Sequence, residues 1–178
     1  VVVKHANPCG VSIGQRDIEK VFKRAFNADK LSSFGGVVAL NKTCNKQIAE
    51  ELSKVFVEIV VAPHFEVDAL NILKRKKNLR VLSTGKIYKR ENDIELKNID
   101  GGVLVQDVDT SNISQSDLQH VTNKKVSETD VSTMLFGWKV LKHIKSNAIL
   151  TVKNHCTIGV GAGQVSRVDA VDIAIKKS

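Results

Sequence analysis

The chain opens with Val1-Val2-Val3-Lys4-His5-Ala6-Asn7-Pro8-Cys9-Gly10, and the predicted fold is built outward from this segment. Its three valines are typical of a short buried β-strand, because β-branched side chains pack well on a pleated surface. A turn is predicted after the strand, since Pro8 disfavours a helical conformation at the preceding residue and Gly10 tolerates any turn geometry. Lys4 and His5 are therefore expected at the carboxyl end of a strand, where α/β proteins commonly bind ligands.

Lys4 and His5 together can carry out acid–base chemistry. A histidine titrates near neutral pH, and burial can lower the pKa of a lysine into the same range. An ordinary strand end, with a solvated lysine and a histidine that caps the loop, accounts for the same pair. The spacing alone favours this simpler interpretation, because short patterns predict function loosely.

The same ten residues argue against a zinc hydrolase. Zinc-dependent deaminases carry His-x-Glu followed by Pro-Cys-x-x-Cys, with the glutamate as the general acid and base. In this chain Asn7 stands at the glutamate position, and the first cysteine after Cys9 is Cys44. The ligand set and the base are both missing, so we predict no zinc site and assign no residue as a metal ligand.

The composition is that of one medium-sized globular domain. The chain has 178 residues, of which 42% are hydrophobic, 26% charged and 4% aromatic. A chain of this length can bury a hydrophobic core, built here mainly from Val, Ile, Leu and Ala. No apolar segment approaches the length of a membrane span, and no signal peptide opens the chain. The first residue is not Met, and we expect a piece of a longer polypeptide.

Three cysteines indicate a reducing compartment. Cys9, Cys44 and Cys156 form no Cys-x-x-Cys pair, and an odd number cannot pair completely. Free thiols are typical of cytoplasmic proteins, so we predict a cytoplasmic location.

The net charge of +8 favours anionic partners, and nucleic acid is the obvious candidate. However, the one basic run is Lys74-Arg75-Lys76-Lys77, and cations are favoured at the C-terminus of a predicted helix by the helix dipole. No aromatic residues are interleaved with the run to stack on bases. We therefore predict no nucleic-acid partner and keep a basic RNA-binding domain as the least favoured alternative.

Apolar periodicity predicts helices that alternate with strands, which indicates a layered α/β fold. The predicted strands cover residues 37–40, 58–63, 79–82, 103–106 and 148–152, and the strand 103–106 is expected to be buried. The predicted helices begin at Asp17, Asn45, Glu66, Asp130 and Ser166. Trp138 is placed on the apolar face of the helix that Asp130 caps. The helix from Glu66 is expected to reach residue 77, with a polar connector at 31–33, a linker or surface loop at 83–97, and a loop with one helical turn at 110–125.

Four positions outside the opening segment stand out, and each has a simple structural explanation. Gly35 and Gly36 allow a ligand to approach the backbone closely, although a kink before a strand also explains them. Glu58 stands at the head of an otherwise apolar strand, an unusual place for a lone carboxylate, and a solvated strand start is its simple role. Asn147 lies at a helix–strand junction, where a helix C-cap is the simple role.

A glycine-rich run precedes the last predicted helix, with Gly159, Gly161 and Gly163 before the cap at Ser166. A strand, a glycine loop and a helix N-terminus together form an anion site. The spacing is G-x-G-x-G and not the G-x-G-x-x-G of dinucleotide-binding proteins. We predict a phosphate or substrate loop in which Arg167 supplies a fixed cation, and a non-catalytic phosphate- or nucleotide-binding module stays open as an alternative.

Three blocks resemble, in the same order, the AICAR transformylase family of bifunctional purine biosynthesis enzymes, which also carry IMP cyclohydrolase. The blocks are Lys4-His5-Ala6-Asn7-Pro8-Cys9-Gly10, Leu31-Ser32-Ser33-Phe34-Gly35-Gly36, and Lys145-Ser146-Asn147-Ala148 continuing to the run from Gly159 to Arg167. They are spread over nearly the whole chain.

The resemblance implies a three-layer α/β/α fold that is cytidine-deaminase-like and lacks the zinc site. It implies that residues 1–178 are part of the transformylase region, with 1–90 in a deaminase-like subdomain and 91–178 in a connecting or second part. The cyclohydrolase domain and the C-terminal part of the transformylase would lie outside this chain.

The implied reaction transfers a formyl group from 10-formyltetrahydrofolate to the 5-amino group of AICAR. By resemblance, His5 is the general base, Lys4 stabilises charge or protonates the leaving group, and Asn147 holds the formyl group. The substrate-binding residues implied are Phe34, Gly35, Glu58, Gly161, Gln164 and Arg167. The family also implies a homodimer with its active site across the interface, an inactive fragment, and a monovalent cation near Asn147 as an open question.

Overall fold

A five-stranded mixed sheet forms the first half of the protein in the computed structural model, which describes residues 1–87 and 93–178. In spatial order its strands are β2 (Asn7–Gly10), β1 (Val2–Lys4), β3 (Gly36–Ala39), β4 (Val57–Ala62) and β5 (Arg80–Ser83). β1 is antiparallel to both neighbours, whereas β3, β4 and β5 are parallel. The predicted α/β class is confirmed.

The opening segment is a β-hairpin and not a strand followed by a stop. β2 pairs with β1 so that Asn7 lies opposite Lys4, which leaves His5 and Ala6 as the turn. Pro8 fits because β2 is an edge strand of this sheet, where a missing backbone donor is tolerated. Because β1 runs against β3, the carboxyl end of β1 lies beside the amino ends of the parallel strands.

Four helices connect these strands: α1 (Ile18–Asn27), α2 (Lys30–Ser33), α3 (Lys46–Ser53) and α4 (Val67–Leu73). The predicted caps at Asp17 and Asn45 are confirmed, since each side chain accepts a hydrogen bond from the backbone three residues on. The connector predicted at 31–33 is wrong, because Asp29 caps a helical turn there. α4 ends at Leu73, four residues before the predicted end.

The core of this half lies between the sheet and its helices. Its largest fully buried side chains come from three strands and three neighbouring segments: Val2, Val38, Val60, Ile48, Leu52, Leu73 and Cys44. Burial of each large aliphatic side chain stabilises the fold by about 1.5–3 kcal/mol. The aliphatic core expected from the composition is confirmed.

The side chain of Lys76, in the middle of the basic run, binds backbone carbonyls within the fold. Its Nζ atom donates to the backbone carbonyls of Leu52 at 3.1 Å and Ser53 at 2.9 Å, in the last turn of α3, and to that of Val55 just beyond it. Burial lowers the pKa of Lys76. The run 74–77 therefore does not act as four independent surface cations.

The second half contains α5 (Glu128–Leu141), an antiparallel hairpin of β8 (Ile149–Lys153) and β9 (Cys156–Gly161), and α6 (Arg167–Lys176). α5 begins earlier than predicted, because Ser127 is its N-cap and Asp130 completes a capping box. Trp138 is 56% exposed and does not belong to the apolar face. A second core forms where α5 meets the hairpin, from Val11, Phe136, Val140, Ile144 and Val160.

An exposed hairpin of β6 (Ile94–Ile99) and β7 (Gly102–Asp107) lies between the two halves in sequence. The strand predicted at 103–106 exists but is exposed at every position, so its predicted burial is wrong. The loop predicted at 83–97 is wrong from Ile94 onward, where β6 begins. Its positions 88–92 lie outside the described residues. The predicted boundary between residues 90 and 91 lies outside them as well. The helical turn predicted within 110–125 is confirmed at Gln115–Asp117.

No helix among residues 1–87 and 93–178 is both long and apolar enough to cross a membrane.

Candidate active site

Lys4 joins two of the sequence blocks. Its Nζ atom donates hydrogen bonds to the backbone carbonyls of Phe34 at 2.9 Å and Gly35 at 3.0 Å. An ammonium group carries three donors, and these carbonyls use two of them. The lysine side chain is therefore fixed in direction at the end of β1, beside the loop that enters β3.

Gly35 is required at this position for two reasons. Its φ angle is +65°, in the left-handed region that only glycine adopts readily. A Cβ atom there would lie 3.0 Å from Lys4 Nζ and 3.3 Å from the ring of Phe56. That ring packs at 5.0 Å from the ring of Phe34, which is 62% exposed. The Phe34 ring is thus exposed and is held in place by its packing against Phe56.

His5 forms the turn between β1 and β2. Its φ angle is 54°, which is uncommon for a residue with a side chain. Its side chain is exposed, next to the fixed Lys4. Glycine or asparagine would fit this backbone conformation better than histidine. Because such conformations in other residues cluster at functional sites, His5 is a candidate functional residue.

Asn147 is bound to the loop that precedes α6. Its Nδ2 atom donates to the carbonyls of Gln164 at 3.1 Å and Val165 at 2.9 Å, and the backbones of Asn147 and Gln164 exchange two further hydrogen bonds of 3.1 Å. Both amide hydrogens of Asn147 are therefore used, and its Oδ1 atom is the part of the amide left to contact a substrate. The helix C-cap role does not apply, because α5 ends at Leu141.

A cavity of about 220 Å³ brings the first and third blocks together. Its lining includes Lys4 and Asn7 from the first block and Gln164 from the third, together with Asp29 and Lys177. These last two form an ion pair of 2.7 Å across 148 residues. Sequence reasoning missed the pair; Asp29 could have been found as a helix cap, whereas nothing in the sequence singled out Lys177.

Asp29 is held in its charged form. Burial opposes this by raising the pKa of the carboxyl group, but hydrogen bonds from Lys177 and from the hydroxyl and backbone of Ser32 outweigh burial, so the pKa lies below its usual value. The ion pair consequently ties α6 to α2 beside the cavity.

The glycines of the third block have different roles. A Cβ on Gly161 would lie 2.0 Å from the carbonyl oxygen of Ala170, and one on Gly159 would lie 2.0 Å from that of Ala174. Both glycines thus let α6 pack directly on β9. Gly163, with φ +66°, instead shapes the loop, and its N–H donates to the carbonyl of Lys145 at 2.7 Å.

The remaining predicted site residues are more dispersed. Gln164 lines the cavity, and its Nε2 atom donates to the carbonyl of Ala162 at 2.8 Å. Arg167 is exposed in the first turn of α6, immediately after the cap at Ser166. Glu58 is exposed near the start of β4, two residues after Phe56. The structure brings Lys4, Phe34 and Gly35 into contact and joins Asn147 to Gln164.

Two of the three thiols, Cys9 and Cys44, are poorly suited to metal binding or nucleophilic attack. Burial raises the pKa of Cys9, and it raises the pKa of Cys44 to about 12, which disfavours the thiolate that such chemistry needs. Within the part of the chain that the structure describes, no group of three or more His, Cys, Asp or Glu side chains is placed to hold a metal ion.

Comparison with known proteins gives a consistent match. The family model described as AICARFT/IMPCHase bienzyme matches residues 1–177. Relatives named bifunctional purine biosynthesis protein PurH include those of Oceanobacillus iheyensis, 49% identical, and Anoxybacillus flavithermus, 48% identical, each aligned over all of this chain and 35% of the relative. The relative from Thermoanaerobacter sp. is 46% identical over all of this chain and 34% of its own length. The chain thus spans about a third of the length of the curated relatives it matches.

Proposed function

The chain belongs to the AICARFT/IMPCHase bienzyme family, and from this premise we propose that it forms part of an enzyme of purine biosynthesis that formylates AICAR. The formyl donor is 10-formyltetrahydrofolate, a cosubstrate. The observation that carries the proposal is the contact of Lys4 with the carbonyls of Phe34 and Gly35. It joins a titratable pair at the end of β1 to an exposed aromatic face that suits a flat heterocycle.

The chemistry explains why this pair is useful. The amine of AICAR is a weak nucleophile, because its lone pair is delocalised into the imidazole carboxamide. A bond forms from the amine nitrogen to the formyl carbon, the bond from that carbon to the folate nitrogen breaks, and one proton moves from the amine to the leaving nitrogen. A base and an acid positioned on either side of the reacting carbon accelerate this exchange, each typically by about 10²–10⁴-fold.

His5 is the proposed base, because its exposed imidazole can reach a substrate while its backbone is held in the turn. Lys4 is the proposed acid or charge stabiliser, since its ammonium has a direction fixed by two carbonyls. The resemblance implies that Asn147 holds the formyl oxygen, but both of its amide hydrogens bind backbone carbonyls. Asn147 is therefore proposed to accept a hydrogen bond from the attacking amine through its free Oδ1 atom.

Phe34 is proposed to stack on the AICAR ring, and Arg167 to bind its phosphate beside the N-terminus of α6. Glu58 would accept from a ribose hydroxyl or the amine. The other binding residues in the proposal are Gly35, Gly161 and Gln164; of these, Gly161 acts through the packing of α6 on β9.

The finer architecture belongs to the same proposal. It comprises a cytidine-deaminase-like three-layer fold without zinc, divided near residue 90, in a cytoplasmic homodimer whose interface carries the site. Whether a monovalent cation binds near Asn147 stays an open question. Because the chain spans about a third of its relatives, we expect formyl transfer from the complete gene product and not from these 178 residues alone.

Calorimetric titration of AICAR into this chain tests the binding part. We expect measurable heat that is lost in Arg167→Ala and kept in Lys97→Ala, a cation on the exposed strand β6. No heat from this chain together with none from the complete gene product would refute AICAR as the ligand. Binding that survives loss of Lys4 and His5, with no formyl transfer by the complete product, would favour a non-catalytic phosphate- or nucleotide-binding module.

A further inference from the structure

The turn that carries His5 is joined to the segment that carries Asn147 by one side chain. The Oδ1 atom of Asn7 accepts a hydrogen bond of 3.1 Å from the backbone N–H of Lys145, across 138 residues of sequence. Asn7 lies opposite Lys4 in the β1–β2 register, so its position also fixes both ends of the two-residue turn.

The peptide that receives this contact is held from its other side as well. The carbonyl of Lys145 accepts from Gly163 N at 2.7 Å, and two residues later Asn147 is bound to Gln164 and Val165. The hairpin, the 145–147 segment and the loop before α6 therefore form one continuous hydrogen-bonded unit. Asn7 is its link on the hairpin side.

We propose that Asn7 is a positioning residue, which sets the distance between His5 and Asn147 without touching substrate. This inference rests on the proposed function. A short side chain with a carbonyl-type acceptor is what the contact needs, because the donor is a backbone N–H. Asp keeps the acceptor in nearly the same shape, whereas Leu keeps the shape and removes the acceptor.

Kinetics of the complete gene product test the role in the reaction. In Asn7→Leu we expect kcat for formyl transfer to fall by about 10²-fold, because a shift of about 1 Å between reacting groups costs that much. KM for AICAR should change less than kcat, since the proposed ring and phosphate contacts come from Phe34 and Arg167, which make none of the hydrogen bonds of this unit. Asn7→Asp should restore most of kcat. Equal loss in both variants, or a change in KM alone, would overturn the positioning role.

Amide hydrogen exchange in this 178-residue chain tests the contact without any assay of activity. Exchange at the Lys145 amide should be at least about ten times faster in Asn7→Leu than in the wild type, because that amide loses its acceptor, and nearly unchanged in Asn7→Asp. Asn98→Leu, on the exposed strand β6, is the matched control and should leave Lys145 unaffected.

The two readouts separate the possible failures. A wild-type gene product that transfers no formyl group refutes the proposed function, while exchange at Lys145 still reports whether Asn7 holds the segment. Unchanged exchange at Lys145 in Asn7→Leu overturns the inference even if activity is present.

Discussion

A Cβ atom on Gly35 would lie 3.0 Å from the Nζ atom of Lys4. Any side chain at Gly35 therefore competes with the ammonium for the space in which it binds two backbone carbonyls. The lack of a side chain at Gly35 therefore leaves room for the Lys4 ammonium, in addition to allowing a left-handed φ angle.

Gly35→Ala should consequently lose both stability and activity. Forcing alanine into a left-handed φ costs about 1–2 kcal/mol, and displacement of Lys4 lowers formyl transfer by the complete gene product. Gly101→Ala is the matched control, because Gly101 has φ +74° with nothing within 4 Å of its Cβ position. Urea unfolding should show a loss of stability in both variants, larger in Gly35→Ala because its Cβ also crowds Lys4 and Phe56, and only Gly35→Ala should lose activity. Equal activities would contradict the link to Lys4.

Substitutions of His5 should change stability and activity independently of each other. Because its φ is 54°, His5→Gly should be about 1 kcal/mol more stable than His5→Ala, since glycine adopts this conformation without strain. Both variants remove the imidazole, so both should lose formyl transfer equally. Denaturant unfolding with a parallel activity assay checks this. A gain of activity on going from alanine to glycine would mean that turn geometry matters and the imidazole does not.

Gly161 should prove essential for packing. A Cβ there would lie 2.0 Å from the carbonyl oxygen of Ala170, so Gly161→Ala should lower the free energy of unfolding by about 1–3 kcal/mol or more through overpacking. Gly102→Ala, where the nearest atom to the Cβ position is 4.0 Å away, should change it much less. If Gly161→Ala folds with wild-type stability but binds AICAR poorly, Gly161 contacts the ligand and the packing explanation is wrong.

The Asp29–Lys177 ion pair should make stability depend on pH. The pKa of Asp29 is lowered in the folded protein, so its contribution is complete above the unfolded-state pKa of about 3.9 and is lost as the pH falls through the lower folded-state value. The stability difference between wild type and Asp29→Asn should thus be constant near neutral pH and shrink below about pH 4. Asp100→Asn, in the exposed β6–β7 turn, should not reproduce this difference. A difference that grows on acidification would contradict the assigned sign.

Local signals were predictable from the sequence. Asp17 and Asn45 were identified as helix caps because capping involves only a few neighbouring residues. Pro8 contributes to the prediction of a turn after the first strand, because nothing local shows that β2 lies at a sheet edge, where proline is tolerated. The strand from Gly102 was expected to be buried because its apolar composition does not reveal whether another element covers it.

The candidate site was predictable where motifs meet within one segment and not where distant segments meet. The Lys4–His5 pair and the Phe34–Gly35 pair were identified, but their mutual contact depends on the pairing of β1 with β3. Gly161 is predicted in a ligand loop because the sequence does not distinguish a glycine that lets a helix pack closely on a strand from one that lets a phosphate approach the backbone. Asp29 and Lys177, 148 residues apart, had no common signal.

The most direct test of the central claim is the rate of formyl transfer from 10-formyltetrahydrofolate to AICAR by the complete gene product, compared with its His5→Ala variant. Loss of the general base should lower kcat by about 10²–10⁴-fold, while calorimetric binding of AICAR is retained. A wild-type product that binds AICAR without transferring the formyl group, or a His5→Ala variant with the wild-type kcat, would contradict the claim.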